Sequence, residues 1–374
     1  MPKATASSNV GTGCADLALA GHTLRLTVED ARLRAAAVEV VTPPCEVASP
    51  SGDSGWTLRT GNGPGLPQPD ELRGRPVLSF PDGGPQLRVT DAVGGRLRVS
   101  GVLHAGEAVA HLTVDRVGRE TVVHLPDAEG SEIEGTGARW VSWLARVYFG
   151  SRLLAEGWRM LHAAAVTVDA GAVLVLAGPW GGKSTLAHRA CREHGAAFLA
   201  DDLVFLGEDG TVVGWPTRMA PPVSLCSGVE IPRRQRRVVD GQLRDRVLFS
   251  PSEYRRAFAV RSAGPTPLAG VVVVGRSNPW QADRLIVEAL DTRRFRSALD
   301  AASRVAAQKL YLLDLLGVTG NSWHVATGPV ASLSTFDLRS VPGVFVRISD
   351  TGLLESLPVW DLVQEALARR RWAS

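Results

Sequence analysis

The sequence predicts an α/β core preceded by a β-rich N-terminal domain, and three stretches carry that prediction. Residues 23–127 run as short alternating segments, TLRLTV, AAVEVV, QLRVTD, RLRVSGVLH, AHLTVD and ETVVHLP, separated by Gly/Pro/Asp turns. Residues 162–200 read differently. HAAAVTV and GAVLVLAG are apolar, β-branched runs, STLAHRACREHG has helix formers and a closing glycine, and AAFLA is apolar again. The third stretch, AGPWGGKSTL, links the second apolar run to the helix and holds Gly178, Gly181 and Gly182 in front of Lys183 and Ser184.

Length and composition frame these stretches. The chain has 374 residues, 45% hydrophobic and 21% charged, which suits two globular domains. A net charge of +3 gives no reason to expect nucleic acid or an anionic membrane as a partner. No apolar run approaches the ~20 residues that span a bilayer. The first residues lack the apolar core of a secretory signal, so a cytoplasmic location is expected. Cys14, Cys45, Cys191 and Cys226 form no C-x-x-C pair and read as free thiols. Only three of the 41 basic residues are lysines, Lys3, Lys183 and Lys309. Against so strong an arginine bias, a lysine between Gly182 and Ser184 reads as chosen for its compact charge.

In chain order, residues 1–20 read as a flexible tail and 21–135 as the β-rich domain, with a loop-rich insertion over 49–73. This domain carries no recognisable chemistry and reads as a structural or docking module. Trp140, Leu144, Val147 and Tyr148 recur at helical spacing, which predicts a helix over 138–157, with the aromatic rings as packing. The paired strands follow, joined by a short Asp-Ala-Gly turn, and then the glycine loop, the helix and a strand ending in Asp201 and Asp202. Beyond them IPRRQRRVVDGQLRDR holds six arginines between Arg233 and Arg246. It reads as a solvated loop or as an arginine-rich lid for phosphates or an acidic peptide. AGVVVVGRS and VFVRI predict strands; TRRFRSALDAASRVAAQKLYLLDLLG and VWDLVQEALARRR predict helices. His324 and the other histidines show no metal-ligand spacing.

The glycine loop falls one position from the strict pattern G-x-x-x-x-G-K-[ST], because residue 177 is alanine. Its setting between a buried strand and a helix start is nonetheless what phosphate binding requires. The helix would aim its unsatisfied N–H groups and positive dipole end at the loop. The loop from Gly178 through Pro179, Trp180, Gly181 and Gly182 to Lys183, Ser184 and Thr185 would wrap the phosphates of ATP or GTP. Lys183 would reach the outer phosphates and the Ser184 hydroxyl would ligate Mg2+. An acid at the end of the next strand would be the second metal anchor. A kinase also needs a base near the acceptor hydroxyl, and adjacent Asp201 and Asp202 could divide the two roles. Which takes which is open, and the plain alternative is that one of them caps the following turn.

The stretch from Leu161 to Leu206 resembles the catalytic core of the HPr kinase/phosphorylase superfamily, whose P-loop fold is related to PEP carboxykinase. His162, Lys183, Ser184, Asp201 and Asp202 match that pattern one by one. The resemblance implies that Ser184 ligates Mg2+, that the aspartates hold metal-linked water and activate an acceptor serine, and that His162 lies beside the phosphates. It extends weakly to GWPTRMAPPVSL. The downstream metal-ligating glutamate has only Glu230 as a candidate here, and the phosphorylase signature is absent, so the resemblance implies a kinase alone.

Residues 136–374 are thus expected to form an HPr-kinase-like catalytic domain with Asp202, Asp201, His162 and Lys183 as catalytic residues and Ser184 and Asp201 on the metal. The large β-rich N-terminal region and the divergent C-terminus resemble the HPr-kinase-like enzymes that phosphorylate ribosomally made peptides, such as lasso-peptide tailing kinases. The expected acceptor is a serine of a peptide or small protein. The alternatives are a kinase for free serine or a similar small molecule, and a nucleotide-gated peptide-binding protein without catalysis. The oligomeric state, homo-oligomer included, is open.

Overall fold

The computed structural model describes residues 13–49, 55–61, 77–79, 86–93, 95–103, 109–125, 131–168, 171–215, 217–239, 242–276, 285–307, 316, 341–349 and 359–371. Four readings lie outside them: most of the 49–73 insertion, the Asp169-Ala170 turn, the helical pattern beyond 307, and His324. The chain divides into two compact units, one reaching to Arg152 and including Leu316, the other formed by the remaining residues from Leu153 onward.

The first unit is built on a nine-stranded sheet. Its strands are β1 (Cys14–Leu19), β2 (His22–Thr27), β3 (Glu46–Ala48), β4 (Thr57–Gly61), β5 (Val77–Ser79), β6 (Gln86–Val93), β7 (Arg96–Val102), β8 (Ala110–Asp115) and β9 (Glu120–His124). They lie in the order β3-β1-β2-β4-β9-β8-β7-β6-β5. Two expectations are corrected here. The tail is not a tail up to residue 20, because Leu17 and Leu19 are buried and β1 pairs with β2. The tight turn between them puts Ala20 and Gly21 at φ 49° and 80°, the backbone that joins antiparallel strands in two residues. AAVEVV is not a strand but the end of helix α1 (Ala31–Val41). Asp30 caps it, accepting from the amides of Arg32 and Leu33, and Leu33, Ala37 and Val41 recur every four residues on the buried side. Helix α2 (Ser131–Ala155) starts earlier than its aromatic spacing indicates.

The second unit carries a mixed sheet of nine strands: β10 (Arg159–Leu161), β11 (Ala164–Val168), β12 (Gly171–Leu176), β13 (Ala197–Ala200), β14 (Val204–Leu206), β15 (Thr211–Gly214), β18 (Thr266–Arg276), β19 (Ile286–Ala289) and β20 (Gly343–Ile348). Both faces of its central strands are covered, which is why β11, β12 and β13 are largely apolar. Val173 and Val175 of β12 face a cluster with Leu186 and Ala190 of α3 (Lys183–Glu193), Tyr254 and Phe258 of α4 (Pro251–Phe258), and Val363 and Leu367 of the C-terminal helix, Val359–Arg371. The alternate residues Ala172, Leu174 and Leu176 face Phe295, Leu299 and Ala302 of α5 (Thr292–Ala307). With α5 defined, the C-terminal helix is α6. The result is a mixed α/β architecture in three layers.

The arginine-rich segment departs from its expected loop. It forms a separate hairpin of β16 (Arg234–Val239) and β17 (Gln242–Val247), paired from Arg234↔Val247 to Val239↔Gln242. The Asp-Gly dipeptide between the strands is a strong hairpin signal that the arginines mask. Among the described residues, no helix is long and apolar enough to cross a membrane.

Candidate active site

Topology alone gathers the expected residues. Strand β11 runs antiparallel to both β12 and β13, with Ala164 opposite Val175 and Ala165 opposite Ala200. The ends of β12 and β13 and the beginning of β11 therefore share one edge of the sheet. The glycine loop leaves β12 there, Asp201 and Asp202 leave β13 there, and His162 enters β11 there. Clefts at the carboxyl ends of strands are where open α/β sheets place ligands. His162 is held by its backbone amide, which donates to the Ala302 carbonyl of α5 at 3.0 Å.

The loop is tightly wound. The Gly181 amide donates to the Gly178 carbonyl at 3.0 Å, and a Cβ on Gly181 would stand 2.7 Å from the Ala177 Cβ. Gly182 takes φ 101° as it caps α3, a conformation costly for any side chain. Ala177 is not among the residues with positive φ, so nothing in its backbone calls for the glycine of the strict motif. Gly178 and Pro179 are exposed, while Thr185 is buried in the first turn of α3. No side chain caps α3, which leaves its first N–H groups directed at the loop.

Lys183 is buried, its Nζ donating to the carbonyls of Ala177 (3.1 Å) and Gly178 (3.2 Å). The ammonium thus lies inside the loop. Ser184 donates from Oγ to Asp201 Oδ1 at 2.9 Å, and Asp201 Oδ2 accepts from the Ala220 amide at 3.1 Å. Asp202 takes a different direction. Its Oδ1 lies 3.3 Å from His162 Nε2, and it holds φ 91°, which is strained for a residue with a side chain. Trp180, at φ 60°, is strained in the same sense.

Sequence reasoning missed a bracing layer. Thr217 Oγ1 donates to the Asp201 carbonyl at 3.0 Å, and Arg246 Nη1 donates to the Ala220 carbonyl at 2.8 Å. The Arg246 guanidinium also lies over the Trp180 ring, 4.7 Å from its centre. The stretch that supplies Thr217 and Ala220 stood out in sequence by its prolines, but no spacing rule tells that it folds back on Asp201. Behind α3, His188 Nδ1 lies 2.9 Å from the Tyr254 hydroxyl. Burial lowers the His188 pKa to about 4, leaving the ring neutral near neutral pH. Burial first, then the nearby charges, pushes the Tyr254 phenol well above its ordinary range.

Among the described residues, no three His, Cys, Asp or Glu side chains form a cluster able to hold a metal alone. The oxygens present instead fit a Mg2+ shared with phosphates, since that ion is ordinarily held by one or two carboxylates plus substrate oxygens. Ser184 and Asp201 supply such oxygens side by side. Glu230 is exposed in the irregular stretch before β16.

No protein-family model matches the chain, and no curated protein matches it. Among solved structures it is similar to the Hpr(Ser) kinase/phosphatase from Coxiella burnetii, over 57% of this chain and 97% of that one, at 10% identity and a TM-score of 0.24. So distant a likeness leaves the reading of the site to its own geometry.

Proposed function

We propose that the chain is a Mg2+-requiring kinase of HPr-kinase-like type. In this reading it transfers the γ-phosphoryl group of ATP or GTP to a serine hydroxyl of a ribosomally made peptide or small protein. One observation carries the proposal: adjacent acids at a phosphate-type loop have different partners, Asp201 with Ser184 and Asp202 with His162.

The loop amides and the first turn of α3 bind the phosphates, and Lys183 leaves the carbonyls of Ala177 and Gly178 to meet the outer ones. Ser184 and Asp201 would hold Mg2+, which when bound neutralises charge on the phosphates. Asp202 accepts the proton of the acceptor hydroxyl as its oxygen bonds to the γ-phosphorus. The bond from that phosphorus to the bridging oxygen breaks, and the nucleoside diphosphate leaves. His162 fixes the orientation of the Asp202 carboxylate, which keeps part of its surface open to an acceptor. Such a reaction depends chiefly on positioning, which the strained backbone at Trp180 and Asp202 serves.

A peptide acceptor is favoured over a free amino acid by the separate β-rich unit, a surface large enough to bind parts of a substrate remote from the reacting atom. Its edge strand β3, with Val47 59% exposed, suits pairing with an extended chain. The buried free thiols of Cys45, Cys191 and Cys226 suit a reducing cytoplasm. The test offers ATP and Mg2+ with free serine, with a candidate precursor peptide, and with that peptide lacking its leader, followed by mass spectrometry. Phosphorylation of the full peptide supports the proposal. Phosphorylation of free serine alone establishes a small-molecule kinase, and nucleotide binding with no transfer establishes a non-catalytic peptide binder.

A further inference from the structure

Arginine is suited to two contacts at once. Its planar guanidinium stacks on an aromatic ring while an N–H at its edge donates within the plane, which a lysine ammonium cannot do. Arg246 of β17 uses both. Its guanidinium lies 4.7 Å from the centre of the Trp180 ring, in the glycine loop, and its Nη1 donates to the Ala220 carbonyl at 2.8 Å.

Ala220 is the residue through which these contacts reach the acids. Its amide donates to Asp201 Oδ2 at 3.1 Å, and Asp201 Oδ1 accepts from Ser184. The amide and the carbonyl of one residue are separated by only two soft backbone angles. Pro221 follows and biases Ala220 toward extended backbone, so a carbonyl fixed in direction leaves the amide little freedom. Ala220 is also buried.

Backbone pairing anchors the same stretch on its other side. Met219 and Phe249 exchange two hydrogen bonds of 2.9 Å, and the Val247 amide donates to the Pro221 carbonyl at 3.0 Å. These bonds tie the stretch to the end of β17 and the residues after it, but they do not reach the glycine loop. The Arg246 side chain does. It meets the loop at Trp180, whose φ of 60° is a strained backbone that persists only where neighbours hold it.

We infer that Arg246 is a positioning residue that sets the glycine loop and the Asp201 carboxylate relative to each other, by stacking on Trp180 while it holds the Ala220 carbonyl. The inference rests on the kinase reading only for what the two sides bind, phosphates at the loop and Mg2+ at Asp201. With Arg246 in place, phosphate oxygens and Asp201 are aligned to share one ion. Without it each side keeps its own groups and loses its alignment with the other.

Hydrogen exchange resolved at single amides, on the full chain without nucleotide, tests the tie itself. Trp180→Leu leaves Arg246 and Ala220 in the chain and removes the ring that seats the guanidinium. Exchange at the Ala220 amide should quicken roughly tenfold, while the Val247 amide changes by less than about twofold. Unchanged exchange at Ala220 overturns the inference. Equal quickening at Val247 overturns it as well, because that is general loosening. Calorimetric titration with ATP then reads the consequence. Arg246→Lys keeps the charge and loses the stack, so it should raise the Mg2+ concentration for half-maximal ATP binding roughly tenfold, with affinity in EDTA altered by less than about twofold. An unchanged Mg2+ requirement overturns the positioning role, and equal weakening with and without Mg2+ replaces it with direct phosphate binding by Arg246. No ATP binding by the parent protein sinks the kinase reading instead, and exchange at Ala220 still decides whether Arg246 ties the two parts together.

Discussion

The two nine-stranded sheets are made from the same materials and place their polarity differently. In the first, buried polar side chains pair across neighbouring strands and serve the sheet. Asp16 holds Arg25 at 2.9 and 3.0 Å, Ser100 lies 2.6 Å from His111, and Trp56 donates to Thr121 at 3.1 Å. Its non-glycine residues with positive φ, Ala20 and Arg119, sit at turns. In the second sheet, polar groups collect at one edge around a loop, and the positive φ values of Trp180 and Asp202 fall at that edge. Strain at a hairpin turn reverses a chain. The strain at Trp180 and Asp202 instead lies beside a buried ammonium and two acids.

The sharpest way to break this contrast is Lys183→Ala. Turnover should fall on the order of 10⁴-fold with far-ultraviolet circular dichroism unchanged, if the side chain has the phosphate role proposed for it. Unaltered nucleotide affinity in calorimetry would reduce the edge to a structural turn. Asp202→Asn should lower kcat on the order of 10³-fold with little change in nucleotide affinity. Asp201→Asn should instead raise the Mg2+ concentration needed for half-maximal rate. Indistinguishable profiles for the two would show that their different partners mean nothing.

Three further outcomes concern stability. His188 is depressed to about 4, so between its ordinary value and that point the unfolded chain binds a proton that the folded chain refuses. Stability should therefore be fully present above about pH 6.5 and drop by roughly 3 kcal/mol as the pH falls toward 4. His188→Gln should remove most of that slope in thermal melts. His111 and His124 of the first sheet, which burial also shifts downward, contribute with the same sign. Asp16→Ala should cost about 2 kcal/mol in urea unfolding, less than for a fully buried pair because Arg25 keeps some solvent. Its kcat should stay at the parent value, and a large loss of activity would end the division of labour. Asp202→Gly should raise stability by about 1 kcal/mol by relieving φ 91° while removing activity.

Legibility followed the range of the interaction. The apolar runs of β11, β12 and β13 were readable because a sheet covered on both faces demands continuous hydrophobicity, and the loop was readable because glycines and a rare lysine are local signals. Helix α1 was misread because AAVEVV alone favours a strand, while the decisive Asp30 cap lies just ahead of it. Helix α4 carries its start signal in the sequence, since Ser250 and Glu253 form a reciprocal cap with Pro251 between them. The hairpin was hidden by charge, since arginine is not what strands usually carry.

The sequence by itself determined the types of group at the site: a glycine loop, a lysine, a hydroxyl, two acids and a histidine, each beside the element that carries it. Local chemistry sets those, because strand and helix preferences and glycine backbones act over a few residues. Only the tertiary structure decided which acid faces Ser184 and which faces His162, that Thr217 and Ala220 brace Asp201, and that Arg246 lies on Trp180. Those partners are 16 to 66 residues apart in the chain. They meet through the antiparallel register of β11 with its two neighbours and through the fold-back of residues 217–222, which no local propensity encodes.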